Sequence, residues 1–577
     1  MTERHQKARA DLRQWQESQP TNFYTSNHQL QRLLKRLMAP ERFAQAQNHL
    51  ESFGQVAAGP LDQAAVINNR HWNLPRLERW SPIGERTEGI EHHPSYHDCG
   101  KAIYEDGRVI SVYAQSPANL HAQALFYLSS HVGEAGHNCP VACTAGVVKA
   151  LAGAGSKALK ARWMPGLLTN DYSQRLDGAQ FLTEVQGGSD VGANTVRAVP
   201  DGESLGTTRW RIHGEKWFCS NADADLILMT ARYEGGPEGT AGLGLFVVPR
   251  LLEDGSANHF ALRRLKDKLG TRSMPSGELD FNGAVGYAVG LAQKGFGTVM
   301  RYVINTSRLY NTVGCAGISR RAHVIADGYA RARRAFGRPV FEFPLMQEML
   351  ASTRSTSAAL MAGSLELAAV ADEAEAGRLD ASEQAFLRVA TNLAKMRSCQ
   401  HSHRVVLTGI ETLGGNGAIE SFSVLPRLLR DNVVYENWEG THNTLVAQTV
   451  RDFARHRLHE GFLAGLTARL EAAKGLSKPL APAFETIERT QHALVQMADV
   501  RDPGLAALML RPHAEALADA FFAASYATDI AQETDPTRKE AETEALAHFC
   551  QTQLGQIPAT RDRAYAQRIH TIASLTD

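Results

Sequence analysis

The chain has 577 residues, 43% of them apolar, with 61 Lys and Arg against 61 Asp and Glu. That length suggests roughly three or four structural units of about 150 residues each, and a zero formal net charge argues against a protein whose main task is coating nucleic acid or anionic membrane. No apolar run approaches the roughly 18 residues of a membrane span, the start from Met1 to His5 lacks a secretory apolar stretch, and seven scattered cysteines read as reduced thiols, so a cytoplasmic location is expected.

Residues 1–180 are predicted helical, with Leu30, Leu33, Leu34 and Leu37 at three- and four-residue spacing. Lys7, Arg9 and Arg13 read as a solvated helix face. Between 181 and 288 the texture changes to short apolar runs such as Leu226–Thr230 and Gly244–Pro249, separated by Gly-rich turns, which predicts a small β domain. Helical periodicity returns over 289–455 as a four-helix-like block. Its clearest start is Asp380 with Glu383 three residues on, a capping box followed by an apolar face of Phe386, Val389, Leu393 and Met396. A further Ala- and Leu-rich helical region covers 456–577. The expected fold class is α+β, mainly α.

Four segments carry candidate chemistry. Thr183–Asp190 is a small polar turn in which Gly187 and Gly188 let backbone N–H groups approach an anion or a planar ring, with Thr183 and Ser189 as hydroxyl donors. Read alone, it is an ordinary hairpin loop. Gly214–Asn221 places Trp217 and Phe218 before small polar residues, and read alone it is a core strand. Leu413-Gly414-Gly415-Asn416-Gly417, followed by Arg427, Arg430 and Asp431, is a glycine cluster of the kind that cradles phosphates. Asn437-Trp438-Glu439-Gly440-Thr441 is the fourth.

In order and spacing these segments resemble the signatures of the acyl-CoA dehydrogenase family, and Arg333–Gly337 resembles a fifth. His93–His97, Cys139-Pro140, Arg264–Gly270 and Trp438-Glu439-Gly440 are similar to the AidB-like branch of that family. The resemblance, which spans roughly residues 85 to 450, implies an N-terminal helical domain (1–180), a middle β-barrel or sandwich domain (181–288), a C-terminal four-helix bundle (289–455) and an extra C-terminal helical domain (456–577). It implies FAD as cofactor, an acyl-CoA substrate, an electron-transfer flavoprotein as electron acceptor, and a homodimer or homotetramer.

By motif position, the resemblance makes Glu439 the base that removes the α-proton of the thioester while the β-hydride moves to flavin N5. Some relatives place the base immediately before an Arg on a neighbouring helix, but Ser307 stands there, before Arg308. Thr183, Phe218 and Ser220 match positions lining the flavin, and Ser189 a pyrophosphate contact. Arg333, Phe336, Gly414, Gly415 and Gly417 match residues that reach the neighbouring subunit's FAD. Thr441 and Asn443 match contacts to its ADP portion, and Arg308 and Gly440 are assigned to substrate. Glu411, Pro344, Val185-Gln186 and Ser220 depart from the usual residues; the AidB-like branch shares the first two, which therefore bear on borrowed hydrogen bonds rather than on FAD binding.

Several other readings stand beside this one. His92, His93, His97 and Cys99 offer zinc-ligand chemistry at a spacing that matches no closed zinc pattern, so no metal is expected. Cys139 and Cys143 read as small buried residues. The AidB-like branch also suggests a DNA-binding or lipid-sensing flavoprotein with little turnover. Residues 451–577, with 14 Lys and Arg against 17 Asp and Glu, lack the concentrated positive charge that phosphate contacts need, so nucleic acid is not an expected partner.

Overall fold

The computed structural model describes residues 2–555 and 560–576. It divides into two compact units, one drawn from 1–59, 119–133 and 311–577, the other from 60–118 and 134–310.

The second unit is built around a seven-stranded sheet. Preceding it in the chain is a two-stranded hairpin of β1 (Arg76–Trp80) and β2 (Arg86–Glu91), inside the region whose periodicity predicts helix. The hairpin forms because Leu77 and Ile90, paired across it, pack on the apolar core of the sheet, and two inward residues in eleven are too few to register as a period of two. The sheet contains β3 (Gly178–Phe181), β4 (Arg197–Ser204), β5 (Thr207–Ser220), β6 (Leu226–Tyr233), β7 (Leu243–Pro249), β8 (Phe260–Leu265) and β9 (Ser276–Ala288). Its pairings close a ring, since β6 meets both β4 and β7, β7 meets β9, β9 meets β5 and β5 meets β4. β3 extends the edge of β6 and β8 that of β9. Closure removes exposed edges, and the interior is filled by Phe181, Ile212, Met229, Phe246, Val248 and Phe281.

The first unit is helical. Leu30, Leu33 and Leu34 are buried on the His28–Leu37 helix. The Asn305–Ala332, Pro344–Glu375 and Ala381–Leu413 helices are the long members of the bundle. The capping box is present: Glu383 N–H donates to Asp380 Oδ1 (2.9 Å) and Asp380 N–H to Glu383 Oε2 (3.1 Å), and Phe386, Val389, Leu393 and Met396 are buried as their spacing predicts. Among the described residues, five further α-helices from Leu458 to Ser574 belong to this unit. Phe522 lies so close to Gly363 that a Cβ there would sit 2.4 Å from its ring, so only glycine permits that approach.

A charged cluster links the start of the chain to these last helices. Arg32 donates to Asp529 (2.6 Å), to Glu542 (2.6 Å) and to Glu533, which also faces His28 (2.9 Å). Burial pushes the Glu542 carboxyl up and the single guanidinium, shared with Asp529 and Glu533, only partly offsets it, leaving Glu542 at about 7. A raised carboxyl favours the folded state fully below its ordinary 4.5, and that contribution fades as pH rises to about 7. Glu542→Gln is therefore expected to raise the unfolding midpoint at pH 8, by a free energy of up to roughly 3 kcal/mol, with the advantage disappearing near pH 5 in parallel thermal melts.

Candidate active site

The Thr183–Asp190 loop leaves the end of β3 and turns back at once. Gly187, at φ 130°, occupies a region open to glycine, and its N–H closes the turn on Glu184 O at 2.9 Å. The loop is held from below by Glu184, whose side chain points inward. Its oxygens accept from Thr195 N–H (2.6 Å), Thr195 Oγ1 (3.0 Å), Val196 N–H (3.2 Å) and the Lys216 ammonium (2.9 Å). Lys216 is 0% exposed and also donates to Leu182 O. Burial pushes Glu184 up, but Lys216 and the backbone donors outweigh it and hold the carboxyl below its ordinary range. Trp217 N–H donates to Thr183 O at 3.0 Å, so the polar loop and the aromatic strand are laced together by two residues 34 apart in the chain.

On β5 the register slips between Lys216 and Cys219, so that Trp217 and Phe218 together oppose Glu278 on β9. Such a bulge re-aims side chains. Here it leaves Phe218 47% exposed, although a strand in regular alternation would have turned one of the pair inward. The Lys266 ammonium lies 3.6 Å from the centre of the Trp217 ring and pairs with Glu278 (2.7 Å). Ser220 lies at the strand end, its Oγ 3.5 Å from that of Ser276. Ser189 is exposed at the far side of the loop.

The glycine cluster ends the Ala381–Leu413 helix. Gly414, at φ 59°, and Gly415 have nothing within 4 Å of a built Cβ, whereas a Cβ on Gly417 would lie 2.2 Å from Ile410 O. Asn416 Nδ2 donates to Tyr329 OH (3.1 Å), and Tyr329 O accepts from Arg333 N–H. The structure thus brings Gly414–Gly417 beside the start of the Arg333–Gly337 segment. That segment forms a hairpin of β10 (Arg334–Ala335) and β11 (Arg338–Pro339), with Phe336 at its tip, 96% exposed.

Glu439 sits on the turn between the Leu425–Asn437 and His442–His456 helices. Its φ is 57° and that of Gly440 is 102°. A left-handed conformation at a non-glycine residue costs on the order of 1–2 kcal/mol and persists only where the surroundings over-determine it. Trp438 N–H donates to Val434 O (3.1 Å) and its indole N–H to Asn311 Oδ1. Lys395 donates to the Gly440 and Glu436 carbonyls. The Glu436 carboxylate faces His403 (2.6 Å) and His442 (3.4 Å); burial pushes it up, but the two imidazoles outweigh this and hold it below its ordinary range. Thr441 is exposed, and Asn443 Oδ1 accepts from Arg511 (2.6 Å). Arg308 is buried, and its neighbour Ser307 contacts Gln180 (3.2 Å).

The histidine segment has structural partners. His92 pairs with Asp223 (2.7 Å) and stacks on Tyr96, His93 Nδ1 accepts from Ser95 N–H at a helix start, and His97 contacts Tyr172 OH (3.2 Å). Among the described residues no group of three or more His, Cys, Asp or Glu is placed to hold a metal ion, and no helix is long and apolar enough to cross a membrane. Cys99, Cys139 and Cys143 are buried thiols.

Residues 13–174 match the adaptive response protein AidB N-terminal domain, 179–284 the acyl-CoA dehydrogenase middle domain and 293–454 the acyl-CoA dehydrogenase C-terminal domain. AidB of Escherichia coli (strain K12) is 34% identical over 418 residues, 70% of this chain and 73% of that one. The chain belongs to the acyl-CoA dehydrogenase family. Acyl-CoA dehydrogenase family member 11 of Caenorhabditis elegans is 31% identical over 471 residues, 79% of this chain and 74% of that one. The crystal structure of C. elegans ACDH-11 in complex with C11-CoA superposes with a TM-score of 0.83 at 26% identity, covering 94% of each chain. Within the family the AidB N-terminal domain marks the AidB-like branch, and membership makes the chain an oxidoreductase with FAD as cofactor.

The side chains present suit that cofactor. An exposed aromatic face at the Phe218 bulge, a loop whose Gly188 admits no Cβ without meeting Thr183 Oγ1 at 2.6 Å, and open glycine backbone at Gly414 and Gly415 are the surfaces that a planar ring and a pyrophosphate require. Sequence reasoning missed Glu184, Lys216, Lys395 and Arg511. The available signal was a lysine at an inward position of an otherwise alternating strand, for Lys216, and one within the apolar face of a long helix, for Lys395.

Proposed function

We propose that this protein catalyses α,β-desaturation of an acyl-CoA thioester to the 2-enoyl-CoA, with Glu439 as the base. The carrying observation is the turn at Glu439, where a carboxylate is held in a conformation that a free chain avoids. Strain of this kind concentrates at functional sites. An α-proton of a thioester is a very weak acid, so its removal needs a positioned base beside groups that stabilise the enolate-like charge. Glu439 takes that proton, and Gly440 and Arg308 contact the substrate. FAD supplies the acceptor, at N5, for the β-hydride. Thr183, Phe218 and Ser220 hold the ring system and Ser189 the pyrophosphate; Thr441 and Asn443 hold the ADP portion.

In this reading Arg333, Phe336, Gly414, Gly415 and Gly417 serve the FAD of a second copy in a homodimer or homotetramer. The exposure of Phe336, Gly414 and Gly415 supports it, as does the Arg333 guanidinium, which makes no ion pair or side-chain hydrogen bond among the described residues of its own chain. Arg333→Ala is expected to weaken FAD binding by about 1.5–3 kcal/mol, the size of one charge-assisted contact, read as a ten-fold or larger rise in the Kd of the apoprotein for FAD. An unchanged Kd would remove the contact. Electrons leave through an electron-transfer flavoprotein.

The deciding experiment is anaerobic titration of the purified flavoprotein with acyl-CoAs, from short branched chains through C11 to long straight chains. The C11 member is included because the C. elegans structure carries C11-CoA. Bleaching of the flavin band by one chain class supports desaturation and names the substrate class. A stable yellow spectrum with every thioester moves the assignment to a lipid-sensing or DNA-binding flavoprotein, with a duplex mobility shift at low salt as the next assay.

A further inference from the structure

Lys395, in the interior of the Ala381–Leu413 helix, is 0% exposed. A buried ammonium is costly unless its hydrogens are satisfied, and two of the groups that satisfy it flank the turn at Glu439. Its Nζ donates to Glu436 O at 3.2 Å, three residues before Glu439, and to Gly440 O at 2.9 Å, one residue after it. Glu436 O belongs to the last turn of the Leu425–Asn437 helix, where carbonyls have no helical partner and positive charge is favoured. Gly440 O is set by the φ of 102° at its own residue. The stretch is also tied at Trp438, through Val434 O and Asn311. Glu439 is therefore the residue between two anchors, and the anchor on its C-terminal side is the lysine.

We infer that Lys395 is a positioning residue for the Glu439 carboxylate, an ammonium clamp that holds the turn in its left-handed conformation. The inference rests on Glu439 being the base. A lysine suits the task because its three hydrogens diverge from one point and reach two carbonyls on different turns, whereas the planar fork of an arginine is larger and spreads its donors in one plane. Other polar groups around the ammonium are the Cys315 and Cys399 thiols and the Glu436 carboxylate. The last of these is engaged by His403 and His442. Without the clamp the Gly440 peptide can rotate and Glu439 can relax toward ordinary φ, carrying its carboxylate away from the α-carbon.

The test uses the FAD-loaded full chain and single-turnover bleaching by the acyl-CoA that bleaches the wild type, with wild type, Glu439→Gln, Lys395→Met and Lys395→Ala side by side. Lys395→Met, which keeps the stem and removes the charge, is expected to slow bleaching about 100-fold, the scale of a displacement of roughly 1 Å at the reacting group. FAD content and the acyl-CoA concentration at half-saturation should stay near wild type. Ethylamine in the buffer should restore at least about ten-fold of the rate of Lys395→Ala by supplying an ammonium to the vacated space. Bleaching of Lys395→Met at the wild-type rate would overturn the inference. So would a loss of rate that only tracks a loss of FAD and thermal stability, with no rescue by the amine, because that is the signature of a core residue. Full activity in Glu439→Gln would overturn the base assignment, and the role of Lys395 with it.

Discussion

Glu439→Gln is expected to leave a yellow protein whose flavin is no longer bleached by acyl-CoA. The amide keeps the size and the turn but is not a base, so the bleaching rate constant should fall by about 10³-fold or more, toward the upper end of what a positioned general base supplies. FAD affinity and the thermal midpoint should move little, because the amide keeps the size of the carboxylate and the bonds from the Trp438 indole and to the Gly440 carbonyl that shape the turn are retained. Stopped-flow absorbance under anaerobic conditions is the measurement. Retention of the wild-type rate would mean that another group takes the proton.

Lys216→Met should have the largest effect on stability and on cofactor retention together. The substitution leaves Glu184 buried without its cation, and breaking a buried pair from one side costs about 3–5 kcal/mol. The damage should spread to the flavin side, because Glu184 fixes the loop that carries Thr183 and Ser189 through Thr195 and Val196. Guanidinium unfolding followed by tryptophan fluorescence, with FAD content measured on the same sample, reads both. Adding Glu184→Leu to Lys216→Met should recover only part of the loss, since the Thr195 and Val196 amides then lack an acceptor. Because the folded carboxyl of Glu184 is held low, the wild-type stabilisation from this pair is present above the ordinary carboxylate value and is lost as pH falls through the lowered one. An unaltered unfolding midpoint in Lys216→Met would show the pair to be energetically idle.

Much of the architecture is legible from short spacings. The Asp380 and Glu383 box and the buried stripe from Phe386 to Met396 are local statements, made within about three turns of chain, and local backbone geometry enforces them. The ordered segments around Thr183, Trp217, Arg333, Gly414 and Glu439 likewise point to the acyl-CoA dehydrogenase family, because each is a contiguous stretch whose residue types do one job. The hairpin of β1 and β2 was not legible. Its few inward residues take their meaning from a core supplied by strands more than 80 residues later in the chain.

The sequence by itself determined the family and the mainly helical fold with a β insertion, and its resemblance to that family singled out Glu439 as the carboxylate proposed here as the base. Tertiary structure decided how that carboxylate and the cofactor loop are held. Lys395 meets the Glu439 turn from 44 residues away, and Lys216 meets Glu184 across 32 residues and a strand register broken by a bulge. A charged residue in a sequence does not announce whether it will be solvated or buried. Only packing removes the water, and once the water is gone the ammonium must take whichever carbonyls and carboxylates the fold has placed within reach.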